Sequence, residues 1–221
     1  VEAWQAIRNF VAAHQLAHQI VHRHYPESKV GAANNLNDFV PSRPGHPMDH
    51  ALRSFAQYWH NQWWLDQTYL TQDFIGLNYY FHHHIGIFGL RHKSHSDHEH
   101  TDRGWGIHPE GLERVLLSLK SYNKPLYILE NGLADSKDAL REKFIKNHLY
   151  YVHQAIEKGA DVRGYLYWSL TDNFEWEEGF WPRFGLIEID RNDMLRRKVR
   201  YSTLKYAEIC RSMRSANMPP P

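Results

Sequence analysis

The sequence predicts an α/β fold built on a parallel sheet, and three observations predict it. Apolar runs of strand length alternate with helical patterns along the chain. The runs are near-continuously apolar rather than alternating, as in strands buried on both faces. Four times such a run leads directly into polar or chemistry-bearing residues, which βα repeats gather at the carboxyl ends of their strands. The chain has 221 residues, 42% of them hydrophobic, which is enough for one cored domain.

In order, Trp4 to His24 reads as an amphipathic helix, with Ile7, Phe10, Val11, His14, Ala17 and Val21 near a period of 3.6, ended by Pro26. His14 falls on its inward side and reads as a hydrogen-bonded core histidine. Lys29 to Asn35 reads as a short buried strand running out into polar residues. A Pro/Gly-rich loop, Pro41 to Pro47, leads to a helix over about Asp49 to Trp59, followed by Trp63 and Trp64. Asp73 to Tyr80 is the second strand. Arg91 to Arg103 is polar, His-rich and reads as a surface loop. Pro109 suits a first helical position, and Leu112, Val115, Leu116 and Leu119 supply the apolar stripe behind it. Pro125 to Gly132 is the third strand, followed by a helix from about Lys137 to Lys158 that Gly159 stops. Gly164 to Leu170 is the fourth strand and enters a loop dense in aromatics and acids. A last helix spans about Val199 to Arg211, with residues 213–221 expected as a frayed tail. Four strands do not close a standard barrel, so an open sheet or half of something larger is implied.

Composition narrows the function classes. Lys+Arg is 26 against Asp+Glu 25, a formal charge of +1, which lacks the basic excess of a nucleic-acid footprint. No apolar run approaches the ~18 residues of a membrane span, and the first residues do not form a signal peptide, so no membrane partner and a cytoplasmic location are expected. The single cysteine, Cys210, rules out an intrachain disulfide framework and reads as inert packing. Aromatic content of 14%, with eight tryptophans, exceeds core filling and suggests a stacking surface. His82-His83-His84 and the scattered His92, His95, His98 and His100 invite a zinc site. A strand, however, turns alternate residues to opposite faces, so only His82 and His84 share one, and no metal site is expected. Arg191 to Arg200 is basic but short, and reads as a solvated face.

The strand-end motifs carry a resemblance. Tyr127 to Gly132 (YILENG), Tyr167 to Trp176 (YWSLTDNFEW) and Arg183 to Leu186 (RFGL) resemble glycoside hydrolase family 1, the retaining β-glycosidases of β-glucosidase type. Phe74 to Tyr80 (FIGLNYY) and Gly104 to Leu112 (GWGIHPEGL) match it in the same order, and Asn9 to His14 resembles its helix after barrel strand four. The resemblance implies a TIM (β/α)8 barrel, of which residues 1–221 would supply strands five to eight and their helices as the C-terminal half. The family's Asn-Glu-Pro motif, which bears the acid/base glutamate, is not found, so that residue is expected from an N-terminal half.

A retaining glycosidase needs one carboxylate to attack the anomeric carbon and a second, ~5–5.5 Å away, as acid and base. Local sequence alone makes Glu130 a strand-end glutamate that could equally face solvent; the resemblance implies the nucleophile. It also implies that Tyr80 donates a hydrogen bond to that carboxylate and that Asn78 lies near it and the sugar hydroxyls. On local sequence these two would be a packed tyrosine and a turn-forming asparagine. Glu175 is implied to bind the distal hydroxyls, a role that suits unphosphorylated sugars because a carboxylate repels a phosphate dianion. Trp168 and Trp176 are implied as a platform for the sugar, and Trp105 as a flank of the leaving-group side. The implied activity is hydrolysis of β-D-glycosidic bonds with no cofactor, on a small β-glycoside or oligosaccharide, with an N-terminal half or a second copy as partner. The rival expectation is a non-catalytic half-barrel, either a sugar-binding remnant or a self-associating folding module, because open strand edges invite pairing.

Overall fold

The computed structural model describes residues 2–91 and 99–216. Its elements run α1 (Glu2–His24), β1 (Ala33–Asn35), β2 (Asp38–Pro41), α2 (Pro47–Gln57), α3 (Trp63–Thr68), β3 (Ile75–Asn78), β4 (His82–Gly86), β5 (Gly89–Arg91), α4 (Pro109–Ser118), β6 (Leu126–Asn131), α5 (Arg141–Glu157), β7 (Val162–Tyr167), β8 (Ile187–Asp190), β9 (Arg196–Val199) and α6 (Tyr201–Ala216). The main sheet has the order β1-β3-β6-β7 and every pairing in it is parallel, as the alternation of strands and helices requires. Among the described residues no helix is long and apolar enough to cross a membrane.

One face of this sheet carries the core. Ile75 and Leu77 of β3 and Leu126 and Ile128 of β6 meet the α4 stripe and Val152 and Ala155 of α5, all nearly inaccessible to solvent. The predicted stripe, Leu112, Val115, Leu116 and Leu119, is buried throughout. The expectation of strands buried on both faces is corrected. On the second face Tyr127 and Leu129 are half-buried and Leu166 is 57% exposed, because no helix among the described residues covers it. Glycines flatten this face: a Cβ on Gly76 would lie 2.4 Å from Leu129 Cδ1, and one on Gly164 2.7 Å from Tyr127 Cδ1, so each glycine lets its neighbour lie across it.

Several boundaries differ from the sequence reading. The first strand shrinks to Ala33–Asn35, and as the sheet's edge it is largely exposed rather than buried. The second helical stretch continues through a π-helical turn at Tyr58–Gln62, α3 and a 3₁₀ turn at Tyr69–Thr71, since neither glycine nor proline interrupts it. β2, β4 and β5 form a small second sheet in segments to which the sequence reading assigns no sheet, and β8 and β9 a hairpin within and beside the basic stretch; β9 is exposed at all four residues, as a solvated face requires. α5 begins at Arg141 rather than Lys137, because the Asp135 carboxylate takes the backbone N–H groups of Leu140 (2.8 Å) and Arg141 (3.0 Å). α6 continues to Ala216, and residues 217–221 of the expected tail lie outside the described residues, as do His92, His95 and His98. Cys210 is exposed on α6 rather than packed.

α1 has no buried residue. Trp4 meets Trp63 at 4.7 Å, His14 Nε2 lies 2.8 Å from the Thr71 carbonyl, and Gln15 donates to the Gln67 carbonyl at 3.0 Å. Its apolar Ile7 and Phe10, the latter 67% exposed, instead line an open groove of about 580 Å³ that runs to the β1 edge.

Arg141 ties the β6–α5 loop to the body. Fully buried, it donates to Tyr167 Oη (3.0 Å) and the Asp135 (2.8 Å) and Arg183 (2.9 Å) carbonyls, and pairs with Asp138. Arg141→Met keeps the volume but strands three acceptors and a carboxylate. It should lower stability by about 3–5 kcal/mol, read as a lower urea midpoint at unchanged m-value.

Candidate active site

Glu130 reaches the carboxyl end of β6 through a bulge. Leu77 of β3 pairs with Ile128, but the next residue, Asn78, pairs with Glu130, and the β6–β7 register shifts over the same residues. Strict alternation would turn Glu130 to the helix side with Leu126 and Ile128. The inserted residue reverses it, so Asn131 takes the buried side and Glu130 the open face. Asn131 then locks the arrangement: its Nδ2 donates to the Tyr79 carbonyl at 2.7 Å and its Oδ1 accepts from Tyr165 Oη at 2.8 Å, joining β3, β6 and β7 at one buried side chain.

On the open face Tyr80 donates to Glu130 Oε2 at 2.6 Å, a short, charge-assisted bond. Burial, then Glu130's hydrogen bond and charge, push the Tyr80 phenol far above its ordinary value, so it remains a donor over the whole usable pH range. The charge of Glu175 also acts on this phenol, which ties the two carboxylates to one site. The Tyr80, Trp105 and Phe184 rings form a triangle with centroids 5.7–6.3 Å apart, and Trp105 also meets Phe81 at 4.9 Å. Asn78 Oδ1 is buried beside β6 with no hydrogen-bond partner among the described residues.

The loop after β7 brings the remaining residues. A Cβ on Gly132 would fall 1.8 Å from the Trp168 carbonyl oxygen, so only glycine lets this strand end close on β6, where Trp168 N–H donates to the Asn131 carbonyl at 3.0 Å. Trp168 Nε1 points to Glu175 Oε1 at 3.3 Å, and Asn173 Nδ2 donates to the same oxygen at 2.7 Å. Trp176 stands 83% exposed. Asp172 anchors the loop: Arg200 donates to both of its oxygens (3.0 and 3.1 Å), and Gly185 N–H donates to Oδ1 at 2.9 Å. Burial alone would raise the Asp172 carboxyl, but Arg200 and the backbone donors hold it below the usual carboxylate range.

Glu130, Tyr80, Asn78, Trp105, Trp168 and Glu175 thus come to one end of the sheet. Sequence reasoning assigned no role to Asn131, Asp172 or Arg103. The first two lie inside quoted motifs, but as polar residues beside the carboxylates their anchoring role depends on partners far along the chain. Arg103, whose guanidinium stacks 4.0 Å over Trp105 while pairing with Glu178, carries no local signal. His82 and His84 do share a face, their Nε2 atoms 3.2 Å apart, while His83 stacks on Phe39.

A parallel β/α sheet with a hydrogen-bonded carboxylate and tryptophans at its strand ends has the design of the (β/α)8-barrel enzymes. The chain belongs to glycosyl hydrolase family 1, whose family model matches residues 70–214. It is 34% identical over 212 residues to the "Beta-glucosidase-like SFR2, chloroplastic" of Oryza sativa subsp. japonica, covering 93% of this chain and 32% of that protein. To a "Beta-galactosidase" of Sulfolobus acidocaldarius it is 49% identical over 115 residues, 51% of this chain and 23% of the relative. Among solved structures, the β-glycosidase from Pyrococcus horikoshii superposes with a TM-score of 0.85 at 36% identity, covering 95% of this chain and 54% of that one. The chain therefore spans between about a quarter and about half of the length of these relatives.

Because Asp172 is depressed in the fold, its contribution is fully present above ~pH 4, the unfolded carboxyl value, and is lost as pH falls through the folded value. The urea midpoint of the natural chain should drop across that acid window, and Asp172→Asn should flatten the drop.

Proposed function

We propose that this chain contributes strands five to eight of a (β/α)8 barrel and the nucleophile side of a retaining β-glycosidase site. The observation that carries the reading is the 2.6 Å bond from Tyr80 to Glu130 Oε2 at the carboxyl end of a parallel sheet. That bond holds one oxygen and leaves Oε1 to attack the anomeric carbon. As the bond from that carbon to the aglycone oxygen breaks, a carboxylic acid outside this chain protonates the departing oxygen. The same group then takes a proton from water, which attacks the glycosyl–Glu130 ester, frees the sugar with its anomeric configuration retained and returns the carboxylate. Glu175, oriented by Asn173 and Trp168, accepts hydrogen bonds from sugar hydroxyls, while Trp168 offers a ring to the apolar sugar face and Trp105 flanks the aglycone. Asn78, paired with Glu130 across the β3–β6 ladder, lies beside the nucleophile where the sugar hydroxyls meet it. The substrate class is an unphosphorylated β-D-glycoside, in line with relatives named beta-galactosidase and beta-glucosidase-like. None of these steps calls for a metal or organic cofactor.

The partner in this reading is the N-terminal half of the barrel, covering the β1 edge, the groove beside α1 and the half-covered sheet face. The same open edge supports a second reading, in which the chain is a non-catalytic or self-associating half-barrel.

The test is intact-mass analysis after incubation with an activated 2-deoxy-2-fluoro-β-glucoside, with the chain alone and assembled with an N-terminal half. A stable adduct on Glu130 is expected in the assembly. No adduct in a folded assembly, with a galacto reagent equally silent, would sink the assignment. Glu130→Gln should lower turnover in the assembly by at least about 10⁴-fold. Tyr80→Phe removes one charged hydrogen bond of about 1.5–3 kcal/mol and should cost roughly 10–100-fold in kcat/KM.

A further inference from the structure

Away from this site, His18 and His22 of α1 and Asp73, just before β3, bring their ligand atoms within 4.8 Å of one another. His22 Nε2 lies 3.1 Å from Asp73 Oδ2 and His18 Nε2 3.9 Å from the same oxygen. The i,i+4 spacing stacks the two imidazoles on one helix face, their centroids 4.1 Å apart. We propose that His18, His22 and Asp73 form a zinc site that clips α1 to the sheet.

The hydrogen bonds around the cluster favour this reading. His22 Nδ1 lies 3.0 Å from the His18 carbonyl, which only accepts, so this nitrogen carries the proton. In the neutral ring Nε2 then presents a lone pair to a carboxylate oxygen, an unfavourable contact unless a cation lies between them. The same bond to a carbonyl is the usual outer support of a metal-binding histidine. Asp73 is equally fixed: its N–H donates to the Val30 carbonyl at 2.7 Å, and Val30 N–H donates to Oδ2 at 2.8 Å.

A proton on Nε2 of His22 is the competing cation, but it satisfies one ring and leaves His18 facing the same carboxylate at 3.9 Å. A single divalent ion serves all three groups. With bonds of ~2.0–2.1 Å, tetrahedral ligands stand roughly 3.3 Å apart, so rotamer adjustments alone close the cluster. Two imidazoles and a carboxylate suit zinc better than calcium or magnesium, which take all-oxygen sets. The site also has a structural use, since α1 buries no residue and is otherwise held mainly by the His14, Gln15 and Trp4 contacts.

The test uses the 221-residue chain, with Zn²⁺ for thermal stability and Co²⁺ as a spectroscopic probe. One equivalent of Co²⁺ should give the intense visible absorption of a tetrahedral site, displaced by Zn²⁺, and Zn²⁺ should raise Tm. His22→Asn and Asp73→Asn should each weaken binding at least about tenfold and abolish the Tm rise, with far-UV circular dichroism confirming that they fold. Should Asp73→Asn fail to fold, His18→Asn takes its place, because its side chain is a partly exposed helix-surface group. A triple change at His92, His95 and His98 should leave binding intact. Absence of the cobalt spectrum, or a spectrum lost in the triple variant and kept in His22→Asn, would overturn the proposal.

Discussion

One extra residue in β6 decides which way Glu130 faces, and the rest of the site is arranged around that reversal. Without the bulge, pleat alternation would send the carboxylate into the layer of Leu112, Val115 and Leu116, where an unpaired charge is costly. With it, the carboxylate meets Tyr80 on the open face and Asn131 takes the buried position. Asn131 makes the irregularity permanent by binding groups on the strands to either side. An asparagine suits this place because one side chain both donates to the Tyr79 carbonyl and accepts from Tyr165, so a local break in the ladder leaves neither group unpaired.

The second constraint is the loop after β7. It carries Asn173 and Glu175 out over the sheet, and its own backbone supplies little order. The order comes from Asp172, which Arg200 and the Gly185 backbone grip from the segment before α6, and from the contact of Trp168 with β6 that Gly132 permits. Buried Arg141 does the same for the β6–α5 loop. The acids and tryptophans that could meet a sugar thus rest on buried ion pairs one layer below them, which is how loop residues acquire rigid positions.

The fold is one-sided. Helices α4 and α5 seal one face of the four-stranded sheet, while the other keeps Leu166 and the half-buried Tyr127 and Leu129 in view, and β1 ends the sheet as an open edge. Phe10 and Ile7 add to the uncovered apolar surface beside that edge. Exposed apolar area of this kind, continuous with unpaired strand backbone, is the usual mark of a surface made to be covered.

Much of this was legible in the chain. Apolar runs and helical stripes located the four strands and the helices that cover them, because period and burial are tied to backbone geometry residue by residue. The motifs around Glu130, Tyr80 and Glu175 marked the strand ends that converge. Three things lay beyond it. The burial of only one sheet face depends on what packs there, and composition is blind to that. The convergence of His18 and His22 with Asp73 depends on how α1 lies against the body. The direction of Glu130 depends on a pairing register between strands distant in sequence, and a one-residue shift there reverses every later side chain. Local residue preferences determined what the elements are, and only the long-range pairing of those elements decided which groups meet.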